Sequence, residues 1–329
     1  MLVKNEIWVL SDDRPGTVSQ SIGLACQMGI GYKIIKLTYN SLANLPNCLL
    51  NSSPLGLTAS SRSQFKNLNH LPNIIISAGR RSAVIALYLK KLSQGRTKLI
   101  QIMNPNLSFR KFDFVILPKH DGIPESQGHN LITTIGALSK ISDEIISSEC
   151  KKFSADFTNI TKPKIALLLG GASSKTKFSA DSAANLARIS SKIAKKMGAT
   201  LLILNSRRTG DELTHALKSN LDCDFKLFDW QEVKDKNPYL AILGFADFFI
   251  ITGDSVSMIS ECCSTGKPVY VFDEAEISAK KHRQFHRDLF AENYARKLSE
   301  NLLGLENFSP KKLQETKRVA NIITKFWLA

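Results

Sequence analysis

Short, nearly continuous apolar runs alternate along the chain with longer stretches in which apolar residues recur every three to four positions. The runs at 6–11 (EIWVLS), 32–39 (YKIIKLTY), 73–79 (NIIISAG), 97–104 (TKLIQIMN) and 112–118 (FDFVILP) have the length and β-branched content of strands. Helical patterns follow the first and third, SQSIGLACQMG and RRSAVIALYLKKLSQG. The stretch LITTIGALSKISDEIISSECKKF predicts a helix that closes this half. Strands that read apolar on both faces belong to a parallel sheet covered on both sides by helices. Residues 154–163 are polar, lack a period and contain a proline, which predicts a linker.

The pattern then restarts. Strands are predicted at 164–171, 199–206, 224–230, 247–253 and 267–273, with helices at 179–198, 210–221, 237–246 and 255–266. Residues 309–329 predict one long helix opened by Ser309-Pro310, with Leu313, Val319, Ile322, Ile323 and Phe326 on one stripe. That helix is expected to cross back and pack on the first domain. The predicted fold class is therefore α/β, with two doubly wound domains facing a cleft. Their bounds are 1–153 and 164–308, joined by the 154–163 linker and followed by the 309–329 helix.

A length of 329 residues suits two domains. The 43% hydrophobic and 22% charged content excludes a disordered chain, a collagen, a coiled coil and a disulfide scaffold. No apolar run approaches the ~20 residues of a membrane span; the best, LAILGFADFFII at 240–251, is short and carries Asp247. Six cysteines without CxxC or Cys/His spacing read as free thiols, with no metal site. The N-terminus lacks a signal or transit pattern, so a cytoplasmic location is expected. The net charge of +15 changes the picture more: it favours anionic partners such as phosphate substrates or a membrane surface. Helix-turn-helix, OB and RNP motifs are missing, so no nucleic-acid partner is expected. Arg62, Lys66, Lys90, Lys91, Arg110 and Lys111 are the residues expected to meet an anionic membrane, by charge alone.

In open α/β sheets ligands bind beyond the carboxyl ends of the strands, so the loops after strands are the candidates. Gly170 and Gly171 end one strand, and Ser173 and Ser174 follow with phosphate-binding composition. The loop is not a Walker A sequence, and GxGxxG is absent, which argues against an NAD dehydrogenase. Arg207 and Arg208 end the next strand and suit an anion, or form a solvated basic turn. The segment IITGDSVSMISECCSTGKP places Gly253, Asp254, Ser255, Val256 and Ser257 at a strand-to-helix turn whose free amides suit a diphosphate. Glu261, two helical turns on, is placed to accept ribose hydroxyls. The plainer alternative is that Asp254 and Ser255 only cap the helix.

The second half resembles the donor-nucleotide domain of GT-B glycosyltransferases, the group that includes lipid-linked cell-wall and lipid A transferases. The likeness rests on E-x-x-x-x-G-x-P, here Glu261, Gly266 and Pro268, and on the basic segment 280–298 with Gln284 and His286. A closer resemblance, along nearly the whole chain, is to the family named after a plant mitochondrial-fission factor. It rests on Arg14-Pro15-Gly16, ISAGRRSA at 76–83, QIMNP at 101–105, FDFVILPKHD at 112–121, TIGAL at 134–138, LLGG at 168–171, NSRRT at 205–209, TGDSVSMISE at 252–261 and KHRQFH at 281–286.

The resemblance implies two Rossmann-like domains in a GT-B-like arrangement, with the first on the acceptor side. It implies a nucleotide sugar as donor substrate, no cofactor, no metal, and an anionic or lipid-linked acceptor. Gly170, Gly171, Ser173, Ser174, Arg207, Arg208, Gly253 to Ser257, Glu261, Gln284 and His286 would hold the donor. Arg14, Arg80 and Arg81 would hold the acceptor's anion. Asp12, His120 and Asp121 are the candidate bases for the attacking hydroxyl. The alternative is a non-catalytic adaptor of the same fold that recruits a partner at the inner face of a membrane.

Overall fold

The structure, a computed structural model, describes residues 6–66, 68, 70–124, 126, 128–160, 163–171, 178–233 and 235–328. Two compact units divide the chain: residues 1–140 with 314–329, and residues 141–313.

In the first unit the order is β1 (Ile7–Ser11), α1 (Pro15–Gln27), β2 (Tyr32–Lys36), α2 (Asn47–Leu50), α3 (Ala59–Ser63), β3 (Ile74–Ala78), α4 (Gly79–Leu92), β4 (Lys98–Ile102), β5 (Phe114–Pro118) and β6 (Leu131–Thr134). The six strands form one parallel sheet in the order β2-β1-β3-β4-β5-β6. Register puts Val9 beside Ile34 on one side and Ile76 on the other. Trp8, Leu10 and Ile75 face α4 through Val84 and Ile85. Ile7, Val9 and Ile76 face the other way, toward Leu24 of α1 and toward Val319, Ala320 and Ile323 of the helix Glu315–Leu328. Both faces of the inner strands are thus dry, which is why β1 and β3 read as unbroken apolar runs. That helix is tied down by Arg318, which donates to the Thr133 carbonyl at 2.5 Å, and by Glu315, which accepts from the Ile135 amide at 3.3 Å.

The second unit runs α5 (Asp143–Lys152), α6 (Ser154–Phe157), β7 (Lys164–Leu168), α7 (Ala180–Met197), β8 (Thr200–Leu204), α8 (Gly210–Ser219), β9 (Phe225–Phe228), α9 (Trp230–Val233), α10 (Tyr239–Phe245), β10 (Phe248–Thr252), α11 (Val256–Cys263), β11 (Val269–Phe272), α12 (Lys280–Ala291) and β12 (Arg296–Lys297). Its parallel sheet has the order β12-β11-β10-β7-β8-β9. Helix α7 is bounded by its residues: the Ser179 hydroxyl accepts from the Ser182 amide, and Gly198 ends it at φ +59°.

Four sequence expectations are corrected. Leu131–Thr134 is a sixth strand, not the start of a helix; its outer position leaves alternate residues half-buried, which mimics a helical mixture. Residues 154–157 are helix rather than linker, because Phe157 is buried and stacks on Phe245 at 4.5 Å and Phe228 at 5.5 Å. The same anchoring carries α5 into the second unit, so the first unit's opening segment ends at Lys140, short of 153. Helix α5 meets α10 where Gly244 has no side chain; a Cβ there would fall 2.2 Å from Cys150 Sγ. The last helix begins at Glu315 and not at Ser309. The Lys311 and Leu313 amides donate instead to the carbonyls of Asn293 and Cys263, which holds that stretch extended.

Candidate functional site

In the second sheet β10, β7 and β8 are neighbours, so the loops after them meet. These loops pack at backbone contact. A Cβ on Gly170 would lie 2.1 Å from both carboxylate oxygens of Asp254, one on Gly171 2.2 Å from the Arg208 carbonyl, and one on Gly253 2.4 Å from Ser278 Oγ. Glycine is required at all three because anything larger would push the loops apart.

Asp254 ties the loops together. Its Oδ2 accepts from the Gly171 amide at 3.0 Å and from Arg208 Nη2 at 3.0 Å, and its Oδ1 accepts from Thr252 Oγ1 at 2.7 Å. Thr252 Oγ1 in turn accepts from the Gly170 amide at 2.7 Å. Ser206 Oγ donates to the Gly170 carbonyl at 2.9 Å, and Thr209 Oγ1 donates to the same oxygen. The Asp254 side chain is only 2% exposed, whereas that of Arg208 is 42% exposed. Asp254 is therefore a strut that aims a solvent-reaching guanidinium, with exposed Arg207 beside it. Ser255 accepts from the Met258 amide and caps α11, so the turn Gly253–Ser257 lies at a helix N-terminus.

Helix α12 supplies two histidines one turn apart. His286 is fully buried; its Nδ1 lies 3.1 Å from Asp273 Oδ1, close enough for an ion pair but off the line of a hydrogen bond. Its Cε1 is 2.8 Å from where a Gly253 Cβ would stand. Burial opposes ionisation of Asp273, but His286, Ser278 and Lys297 outweigh it and hold the carboxyl below its usual range. Burial, then Lys281 and His286, press the His282 imidazole below its usual value, against the pull of Asp254; Arg208 adds to the depression. His282 thus stands within electrostatic reach of the Asp254–Arg208 pair. Sequence reading missed it, although its i,i+4 spacing from His286 puts both on one helix face.

Of the other donor-side candidates, Ser173 and Ser174 lie outside the described residues. Gln284 is exposed and donates to Asp288 of its own helix at 2.8 Å, on the side of α12 away from His282. Glu261 accepts from the Tyr239 hydroxyl at 2.6 Å. Burial first, then the Glu261 charge, raises the Tyr239 phenol well above its usual value, so it remains the donor.

In the first unit, Asp12 follows β1. Its Oδ1 accepts from the Arg14 amide at 3.0 Å and Thr17 Oγ1 at 2.6 Å, and its Oδ2 accepts from Arg81 Nη2 at 3.0 Å. With 6% of its side chain exposed, it holds the turn that leads into α1 rather than standing as a free base. Arg81 also reaches Asp13 at 2.5 Å and lies over the Tyr39 ring at 4.5 Å. Arg80 donates to the carbonyls of Leu45 and Asn44 and to Asn47 Oδ1, so it holds a loop. Arg14 is exposed at the start of α1. His120, buried, and Asp121, half-buried, form a turn after β5. Since β1 and β5 are three strands apart, that turn stands ~14 Å from Asp12, and the three bases do not form one constellation.

Among the described residues no group of three or more His, Cys, Asp or Glu is placed to hold a metal, and no helix is long and apolar enough to cross a membrane.

Two parallel six-stranded sheets, with glycine turns and helix N-termini at the strand ends, define an α/β protein of GT-B architecture. The chain belongs to the family described as Mitochondrial fission ELM1, which matches residues 15–327. It is 34% identical to the Rickettsia prowazekii (strain Madrid E) protein RP120, over 96% of this chain and 97% of that one. It is 27% identical to the mitochondrial fission protein ELM1 of Arabidopsis thaliana, over 77% of this chain and 64% of that protein's length. The fold is similar to that of the UDP-GlcNAc 2-epimerase of Methanocaldococcus jannaschii, solved with UDP-GlcNAc and UDP: TM-score 0.54, 14% identity, covering 98% of this chain and 100% of that one. It is also similar to the glycosyltransferase SnogD of Streptomyces nogalater: TM-score 0.52, 11% identity, covering 98% and 94%.

Proposed function

We propose that this protein binds a nucleoside-diphosphate sugar at the strand ends of its second unit and transfers the sugar to an anionic or lipid-linked acceptor. The observation that carries the reading is the Asp254 strut. Two glycines, Thr252 and Arg208 converge on it, and it fixes an arginine beside the N-terminus of α11. Helix amides and a guanidinium stabilise a diphosphate both as ligand and as leaving group. His282, kept neutral by its surroundings, can donate an N–H hydrogen bond to the departing phosphate. Glu261 takes the ribose hydroxyls. The ligands in the epimerase complex, UDP-GlcNAc and UDP, make uridine nucleotides the first to try.

A second reading has an observation of its own. Asp12, Arg80 and Arg81 are all held in contacts within their own unit, as in a fold kept for recruitment rather than turnover. Thermal shift against UDP, UDP-sugars and other nucleotides tests both. A bound nucleotide at ~100 times its Kd stabilises by about 2.7 kcal/mol. Stabilisation together with slow UDP release from a UDP-sugar supports transfer; stabilisation without release supports the adaptor. No shift with any nucleotide, or the same shift in Arg208→Ala, overturns the site.

A further inference from the structure

The excess charge is not spread along the chain. Residues 14–112 contain thirteen Lys and Arg and no Asp or Glu, so thirteen of the fifteen excess positive charges fall in this stretch of the first unit. Arg81 pairs with Asp12 and Asp13, and Lys90 and Lys98 pair with Asp113. The other ten make no ion pair among the described residues.

Within this stretch the excursion between β2 and β3 turns leucines outward. Leu42, Leu45, Leu49 and Leu55 are 43%, 41%, 72% and 51% exposed. The turns Ser41–Asn44 and Pro54–Gly56 pack on each other, and α2 packs on the second of them, so the four belong to one small body. Their exposure is imposed by the fold. Leu50 and Leu57 of the same segment are buried in the core, and Asn47 Nδ2 donates to the carbonyls of Arg80 and Pro105, at 2.7 Å each. Basic groups border the leucines: Arg80 donates to the Leu45 carbonyl at 3.0 Å, and Lys111 Nζ donates to Asn51 Oδ1 at 2.9 Å.

We infer that this excursion docks on an anionic lipid surface, with the four leucines entering the headgroup layer and the surrounding Arg and Lys meeting lipid phosphates. Apolar side chains bordered by cations fit a phospholipid boundary, where charge attracts and insertion holds. Each basic residue at such a surface strengthens association about fivefold. A nucleic acid would stack on exposed aromatics; here Phe65 is buried and Tyr39 lies under Arg81. The proposal stands independently of nucleotide binding. It differs from docking by charge alone in that leucine removal abolishes its apolar part, whereas salt weakens both.

The test uses the full chain with vesicles of phosphatidylcholine, with and without phosphatidylglycerol. Co-sedimentation is expected only with phosphatidylglycerol, falling with salt as exposed charges are screened. Leu49→Ser with Leu55→Ser should weaken it about tenfold or more, given the apolar area removed. The melting temperature should hold, since both side chains are exposed. The chain carries its own reporter in Cys48, exposed in α2, while Cys26 is exposed on α1, which packs on the other face of the sheet. An environment-sensitive dye on Cys48, with Cys26→Ser, should shift to a less polar emission on vesicles; the dye on Cys26, with Cys48→Ser, should not. Equal binding to both vesicle types, undiminished binding by the double variant, or a silent Cys48 dye would overturn the inference. So would binding to single-stranded RNA without binding to vesicles.

Discussion

Removing the Asp254 carboxylate leaves the Gly171 amide, the Thr252 hydroxyl and Arg208 without their shared acceptor. Asp254→Ala should destabilise the second unit by on the order of 3 kcal/mol and abolish nucleotide-induced stabilisation; denaturant unfolding and thermal shift on one sample read both. Tyr239→Phe isolates the role of Glu261. Loss of a hydrogen bond to a charged acceptor should lower stability by about 1.5–3 kcal/mol and leave the Kd for UDP unchanged. A Kd that rises with little loss of stability would move Tyr239 into the binding surface. In the first unit, burial opposes ionisation of Asp113, but Lys90, the Leu99 amide and Lys98 prevail and hold its carboxyl below the usual range. A depressed folded value means its stabilisation is complete above the unfolded value of ~3.9 and is lost as pH falls through the folded one. Asp113→Asn should therefore melt lower than the parent near neutrality, and the two curves should converge below about pH 4. A gap that stays constant into acid would show that Asp113 acts through packing and not through charge.

At the level of elements, helix 315–328 is held by buried Val319, Ala320 and Ile323, while Ile322 is 39% exposed. Ile323→Ala should cost about 3 kcal/mol, and Ile322→Ala well under half of that, in urea titrations of each variant. The inner strands were legible in the sequence because burial on both faces leaves no polar alternation to confuse with a helix. Leu131–Thr134 was not, since its outer position leaves alternate residues half-buried. Residues 309–314 misled for another reason: a Ser-Pro start is local, whereas the partners that hold Lys311 and Leu313 extended, Asn293 and Cys263, are distant in sequence. The glycine turns after β7 and β10 could be read from composition. That Asp254 carries them could not, because its partners Gly171 and Arg208 come from loops 83 and 46 residues away. His282 and the acid-free stretch 14–112 were in plain view, one as an i,i+4 pair with His286 and the other as a local count that a chain-wide net charge averages out.

On the scale of the whole molecule, each unit owns a sheet and a core, and the first is assembled from both sides of the second in chain order. Deleting residues 314–329 should therefore raise hydrogen exchange in β1, β3 and α1, and leave β7, β8 and β10 protected. Equal loss of protection in both units would mean that their stabilities are not separable. The same arrangement sets a timetable for synthesis. When residues 1–140 leave the ribosome, one face of their sheet has no Val319, Ala320 or Ile323 to cover it, and those side chains do not exist until all 173 residues of the second unit have been made. At a pace of roughly 5–20 residues per second, that face waits on the order of ten seconds or more. The unit that begins first is the one that closes last, and during the interval its bare apolar wall is the part of the nascent chain a chaperone has reason to hold.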